Sequence, residues 1–173
     1  MALLVVLTVW VVLVLVSLFR SVTLVPQGFS GVVLRFGRYH RDLRSGLALV
    51  LPSIDRVIRV DLREQPHAVG PLQVLTRDDV PVTVSAIVHV QVLDPRAALL
   101  EVSNYKIAVG QLAVFTLRQV VDELPLADVL SERRQINAAI QQRMQQVTDK
   151  WGVRVNLVDL GPVSRIDAPP AAV

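Results

Sequence analysis

Hydrophobic and polar positions fall into three regimes along the chain. From Ala2 to Phe19, 16 of 18 residues are apolar, the exceptions being Thr8 and Ser17, and none is charged. From Ser21 to Leu93 short Val-, Leu- and Ile-rich runs are punctuated by Gly28, Gly31, Gly37, Gly46 and Gly70 and by Pro26, Pro52, Pro66 and Pro71, a strand-and-turn pattern. The clearest strand covers Val80 to Leu93. Val80, Val82, Val84, Ala86, Val88, Val90 and Val92 share one face, while Pro81, Thr83, Ser85, Ile87, His89 and Gln91 take the other. Such alternation marks a strand with one buried and one wet face, which makes His89 a surface histidine. Arg77-Asp78-Asp79 before it reads as a hairpin turn.

After Asp94 the period becomes helical. Asp94 and Pro95 suit the N-cap and first position of a short helix reaching about Val102. Asn104 caps a second helix running to about Leu124, whose apolar residues cover more than one stripe, so it requires burial on two sides, within the fold or against another subunit. Pro125 precedes a third helix over about Leu126 to Trp151. There Val129, Ile136, Ile140, Met144, Val147 and Trp151 form one stripe, with Gln141, Gln142, Gln145 and Gln146 opposite. Leu112, Phe115 and Val120 on the second helix, and Ile136 and Ile140 on the third, are the candidates for self-association. Gly152 ends the third helix, and Val153 to Leu160 reads as a closing strand. The Pro- and Ala-rich tail is expected to be disordered. The segments divide into an anchor at 1–24, an α+β domain at 25–160 and a tail at 161–173.

Composition sharpens the first regime. The chain is 52% hydrophobic, yet outside Met1 and the first block the apolar share drops to roughly 47%, normal for a globular domain. An 18-residue helix rises about 27 Å, close to the roughly 30 Å hydrocarbon core of a bilayer. Ala2, Leu3, Val11, Leu15 and Phe19 mark the expected span. A cleaved leader would need a basic start, a shorter apolar core and a small-residue cleavage site. No Lys or Arg precedes the run, and Ser17-Leu18-Phe19-Arg20 is a poor cleavage sequence. A single uncleaved span is therefore expected, with an in-plane segment and a cleaved leader as the alternatives.

Charge then orients the span. Residues 20–63 hold eight Arg against Asp42, Asp55 and Asp61, a net of +5 within a chain of net +3. That excess places the domain on the cytoplasmic side of the cell membrane. Arg35, Arg38, Arg41, Arg44, Arg56 and Arg59 form a candidate membrane-facing basic surface, the alternative being a solvated β-surface whose arginines pair with the three aspartates. Lacking a nucleic-acid motif, the cluster points to lipid rather than nucleic acid. There is no cysteine, and His40, His67 and His89 lack the spacing of a helical metal pair. No phosphate-cradling loop, Gly-x-Ser-x-Gly elbow or His-Glu-x-x-His occurs. The expectation is a domain with no catalytic, cofactor-binding or metal-binding residue.

Several short runs add a resemblance. They begin with Val25-Pro26-Gln27-Gly28, Arg35-Phe36-Gly37-Arg38-Tyr39, Ile54-Asp55-Arg56 and Val60-Asp61-Leu62-Arg63-Glu64-Gln65. Thr76-Arg77-Asp78, Asp94-Pro95, Asn104-Tyr105, Gln111-Leu112-Ala113, Thr116-Leu117-Arg118, Leu130-Ser131-Glu132-Arg133 and Trp151-Gly152-Val153 follow in order. Their order and spacing over residues 21–160 resemble the stomatin/prohibitin/flotillin (SPFH, band 7) superfamily, most closely its stomatin-like, or slipin, branch. The resemblance implies a transmembrane helix followed by an SPFH domain, an antiparallel β-rich part packed with three helices and a closing strand. It implies a non-enzymatic membrane scaffold that self-associates into a homo-oligomer and regulates neighbouring channels or membrane proteases. The alternative it offers is a regulatory partner or substrate of a membrane-bound serine protease, the stomatin operon partner. Relatives in that family continue into a long coiled coil, whereas Gly161-Pro162 stands where their charged continuation begins. A continuous exit helix is not expected there, and the apolar second helix is left to support smaller contacts between copies.

Overall fold

The computed structural model describes Trp10 and residues 21–51 and 54–165. The expected span residues Ala2, Leu3, Val11, Leu15 and Phe19 lie outside that set. Among the described residues, no helix is long and apolar enough to cross a membrane. The chain divides into two compact units, one through Arg63 and one from Glu64 onward.

From residue 21 on, the described part of the first unit is built of β-strands. Strands β1 (Val22–Val25), β2 (Phe29–Arg35), β3 (Arg38–Leu43), β4 (Gly46–Leu49) and β5 (Asp55–Asp61) form a β1–β4 ribbon and a β3–β2–β5 antiparallel sheet. Phe36 and Gly37 both have positive φ, 49° and 79°, and form the two-residue turn whose twist matches a β-hairpin. Glycine takes this conformation at no steric cost, which gives the Phe36-Gly37 pair its structural reason. Val25, Val33, Leu43 and Val50 make the core, with Phe29, Ala48 and Val57 packed against it.

The second unit contains β6 (Gln65–Leu75), β7 (Pro81–Val92), α1 (Pro95–Leu100), α2 (Tyr105–Asp122), α3 (Leu126–Ser131), α4 (Arg133–Thr148), β8 (Val153–Leu160) and β9 (Ser164–Arg165). The sheet runs β6–β7–β8, antiparallel, with β9 also on β7. The alternation read in β7 holds: Val82, Val84, Ala86, Val88, Val90 and Val92 are buried. Its neighbours keep their apolar residues on the same face only by irregularities. In β8, Leu157 pairs with His89 and Val155 with Val90, leaving Asn156 as an extra residue. The bulge lets Val153, Val155, Val158 and Leu160 all face inward, although their spacing is not strictly two. Gly70-Pro71 does the same in β6, between Val69 and Leu72.

The caps at Asp94 and Asn104 are as the sequence suggests. Asp94 Oδ1 accepts from the Arg96 and Ala97 amides at 2.9 and 3.2 Å, and Asn104 Oδ1 from Lys106 and Ile107 at 3.1 and 3.4 Å. Gly152 takes the left-handed conformation at φ 65° that ends the last helical turn.

Two expectations are corrected. The long third helix is broken into α3 and α4 at Glu132, whose φ and ψ of −104° and 39° leave the helical region. Ser131 Oγ donates to the Ala127 carbonyl at 2.8 Å in the turn just before, a bond that bends helices. The tail does not begin at 161. Gly161 N donates to Ser85 O at 2.8 Å, and Ser164 and Arg165 pair with Thr83 and Val82. β7 extends past its pairing with β8, which reaches only Ala86, and this end of β7 offers ladder groups that the returning chain satisfies.

Candidate functional site

In the first unit, the β1–β4 ribbon has two unlike faces. Registers of Thr23 with Ala48 and Leu24 with Leu47 fix which residues share a side. Val25 and Ala48 belong to the core side. Leu24, Leu47 and Leu49 lie on the other and are 61%, 78% and 66% exposed. Leu51 follows, also exposed. Three exposed leucines on one sheet face have no solvation rationale of their own.

The six candidate arginines do not form one surface. By register, Arg35, Arg38, Arg41 and Arg59 fall on the same side of the β3–β2–β5 sheet as Val33 and Leu43, whereas Arg56, opposite Leu34, falls on the other. Three of the six are engaged within the unit. Arg35 forms a forked pair with Asp55, Nε to Oδ1 at 2.8 Å and a terminal nitrogen to Oδ2 at 3.1 Å. Arg41 donates to the Leu49 carbonyl, and Arg59 to the Leu24 carbonyl at 3.4 Å. These two arginines tie the ribbon to the sheet. Arg38, Arg44 and Arg56 are exposed. The Asp55 side chain is 1% exposed, and the Arg35 guanidinium holds its carboxyl down at about 2 despite the opposing effect of burial.

In the second unit, the five self-association candidates separate. Val120, Ile136 and Ile140 are buried at 3%, 1% and 1% exposure. They are core residues and present nothing to a second copy. Leu112 is half-buried. Phe115 is 63% exposed, and Ile107 on the same helix is 59% exposed. Of the two buried sides expected for α2, the fold covers one: Val109, Ala113, Leu117 and Val121 face inward while Ile107 and Phe115 face out.

The glutamine row of α4 has a function that periodicity missed. Gln141 Nε2 donates to the Val155 and Asn156 carbonyls at 3.0 and 3.1 Å. Gln145 Oε1 accepts from the Val155 amide at 2.8 Å, and Asn137 Oδ1 from the Leu160 amide at 3.1 Å. The helix thereby covers main-chain groups of β8 at the margin of the sheet, removing them from edge-to-edge pairing. Asp78 likewise does more than turn the chain, since its Oδ2 accepts from the Leu126 amide at 3.2 Å and caps α3. His89 is on the wet face as read, with Nδ1 2.9 Å from Glu64 Oε1. Glu64 also accepts from Asn156 Nδ2 at 2.7 Å, and that bond is the main reason its carboxyl titrates below the ordinary value. Among the described residues, no group of three or more His, Asp or Glu gathers as a metal site would require.

Residues 23–173 match the SPFH domain / Band 7 family. The chain belongs to that family. An uncharacterized protein of Mycobacterium tuberculosis is 41% identical over 169 residues, which are 97% of this chain and 44% of that protein. An uncharacterized protein of Methanocaldococcus jannaschii is 33% identical over 163 residues, 92% of this chain and 80% of its own length. A stomatin homolog of Pyrococcus horikoshii is 34% identical over 150 residues, 87% of this chain and 56% of the homolog. The chain thus spans under half of the mycobacterial relative. The antiparallel sheets and helices of the two units are the α+β form the SPFH domain takes in this sequence.

Proposed function

We propose that this SPFH-family chain is a membrane-associated, non-enzymatic scaffold that meets the bilayer through its N-terminal apolar stretch and the leucine face of the β1–β4 ribbon. The exposed Leu24, Leu47 and Leu49 face carries the reading. Leu24 follows the uncharged stretch ending at Phe19 by only five residues, so an anchored chain delivers this ribbon to the lipid surface. Burying a leucine fully contributes roughly 1.5–3 kcal/mol, and three together supplement the anchor substantially. Arg38 and Arg44, exposed and close in sequence to the ribbon, contribute about 1 kcal/mol each where the lipid is anionic. Orientation with the domain in the cytoplasm follows from the Arg excess over residues 20–63.

The scaffold works by avidity. Copies confined to a surface reach high effective concentration, so weak lateral contacts between them, and with neighbouring channels or proteases, become effective. The absence of cysteine from the chain supplies a clean probe. A single Leu47→Cys labelled with an environment-sensitive dye, in full-length protein on vesicles of 70:30 phosphatidylcholine to phosphatidylglycerol, should shift to the blue and be quenched by brominated lipid. A Gln146→Cys control should do neither. Equal, water-like emission at both positions overturns the membrane contact of the ribbon. Photobleaching of labelled protein in supported bilayers should proceed in several steps per spot, and uniformly single steps overturn the scaffold reading.

A further inference from the structure

On the outward side of α2, Ile107, Gly110, Gln111 and Val114 occupy positions i, i+3, i+4 and i+7. That spacing builds the four-residue hole into which a facing helix inserts a side-chain knob. Phe115 extends the apolar wall by one residue. Gly110 is the informative member. In a helix interior glycine costs roughly 0.5–1 kcal/mol relative to alanine, and such a residue usually relieves crowding inside the fold. Here a Cβ at 110 would meet no atom within 4 Å beyond its chain neighbours and the adjoining backbone of its own helix. Among the described residues nothing requires the glycine, and its missing side chain deepens the hole.

Lys106 and Arg118 stand at the two ends of this groove, both exposed, and no acidic residue lines it. The two cations are twelve positions apart, about 18 Å along the axis. A second copy of the same groove is a poor occupant. Parallel pairing would set each cation against its twin, and antiparallel pairing centred on the groove would set Lys106 against Arg118. Like charges so juxtaposed oppose association.

We propose that the outer groove of α2 docks an amphipathic helix of another protein, one with an aliphatic knob at its centre and carboxylates about three turns apart. The knob fills the space over Gly110 between Ile107 and Val114, and the carboxylates meet Lys106 and Arg118. This assignment does not depend on how the ribbon meets lipid.

Two dye-labelled 18-residue helical peptides with an identical Leu/Ala face test it, one with Glu and one with Lys at the flanking positions. Fluorescence anisotropy is read against the full chain in lipid nanodiscs. The Glu peptide should bind at least tenfold more tightly than the Lys peptide. Gly110→Leu should weaken it at least tenfold without lowering the melting temperature, and the double variant Lys106→Glu/Arg118→Glu should reverse the preference. Equal binding of the two peptides, or indifference to Gly110→Leu, overturns the proposal. So does a change in the number of copies per complex on Gly110→Leu in the absence of peptide, which would assign the groove to a second copy.

Discussion

Arg35 and Asp55 close one end of the β2–β5 pair, directly opposite each other in the ladder and joined by two hydrogen bonds of 2.8 and 3.1 Å. Asp55 also accepts from the Leu51 amide at 3.1 Å, so this one carboxylate joins the sheet to the chain following β4.

That carboxylate has a pH signature. Its folded value lies at about 2 against an ordinary 3.8. The folded state therefore binds the proton less readily than the unfolded chain. The stabilisation is complete above the ordinary value and is lost as pH falls through the folded one. Circular-dichroism melts should show Asp55→Ala destabilised at neutral pH. Between about pH 4 and about pH 2 its melting temperature should fall less than that of the unaltered chain. Parallel acid limbs for the two proteins would contradict this role.

His67 has the opposite exposure to charge. Its Nε2 is buried with no hydrogen-bond partner among the described residues, on the face of β6 shared with Val88. Burial first, and the Lys106 ammonium second, push its value below the ordinary 6.5. A depressed histidine leaves the unfolded state binding more protons, so stability rises with pH across the interval below 6.5 and falls on acidification. Urea midpoints measured at about pH 7.5 and about pH 5.5 should converge in His67→Leu relative to the unaltered chain. An undiminished difference would sink the assignment.

The amide cover on β8 predicts a split within one row of glutamines. Gln145→Ala leaves the buried-side amide of Val155 without its acceptor and should cost about 1–2 kcal/mol. Gln142→Ala, at an exposed position of the same helix, should stay within about 0.5 kcal/mol. Chemical denaturation distinguishes them, and equal effects would mean that the amides do not hold the strand.

The apolar candidates on α2 and α4 divide in the same assay. Ile140→Ala should cost about 2–5 kcal/mol, because the side chain is 1% exposed and leaves a cavity. Phe115→Ala, at 63% exposure, should change folding stability by under about 0.5 kcal/mol. Similar losses for both would refute the placement of Phe115 on an outer face.

Much of the local structure was legible in residue order. The alternation through β7, the caps at Asp94 and Asn104, the turn at Arg77-Asp78-Asp79 and the stop at Gly152 each depend on residues a few positions apart, where period and cap chemistry act directly. The two irregular strands were less legible. A strict period of two cannot account for Val155 and Val158 on one face, and only the partner strand shows that Asn156 is the extra residue. The break at Glu132 was hidden for a similar reason, since the apolar stripe runs through it without a proline or glycine to mark it.

The sequence alone determined that an uncharged apolar stretch precedes an α+β region rich in arginine, because composition and periodicity are properties of neighbours along the chain. Tertiary structure decided which side chains are available to a partner. Ile136 and Phe115 are both apolar residues on helices, but one is sealed in the core and the other open. Arg35 and Arg38 flank the same turn, yet one is held by an aspartate twenty positions away. Exposure and pairing arise from contacts between distant segments, and no local pattern encodes them.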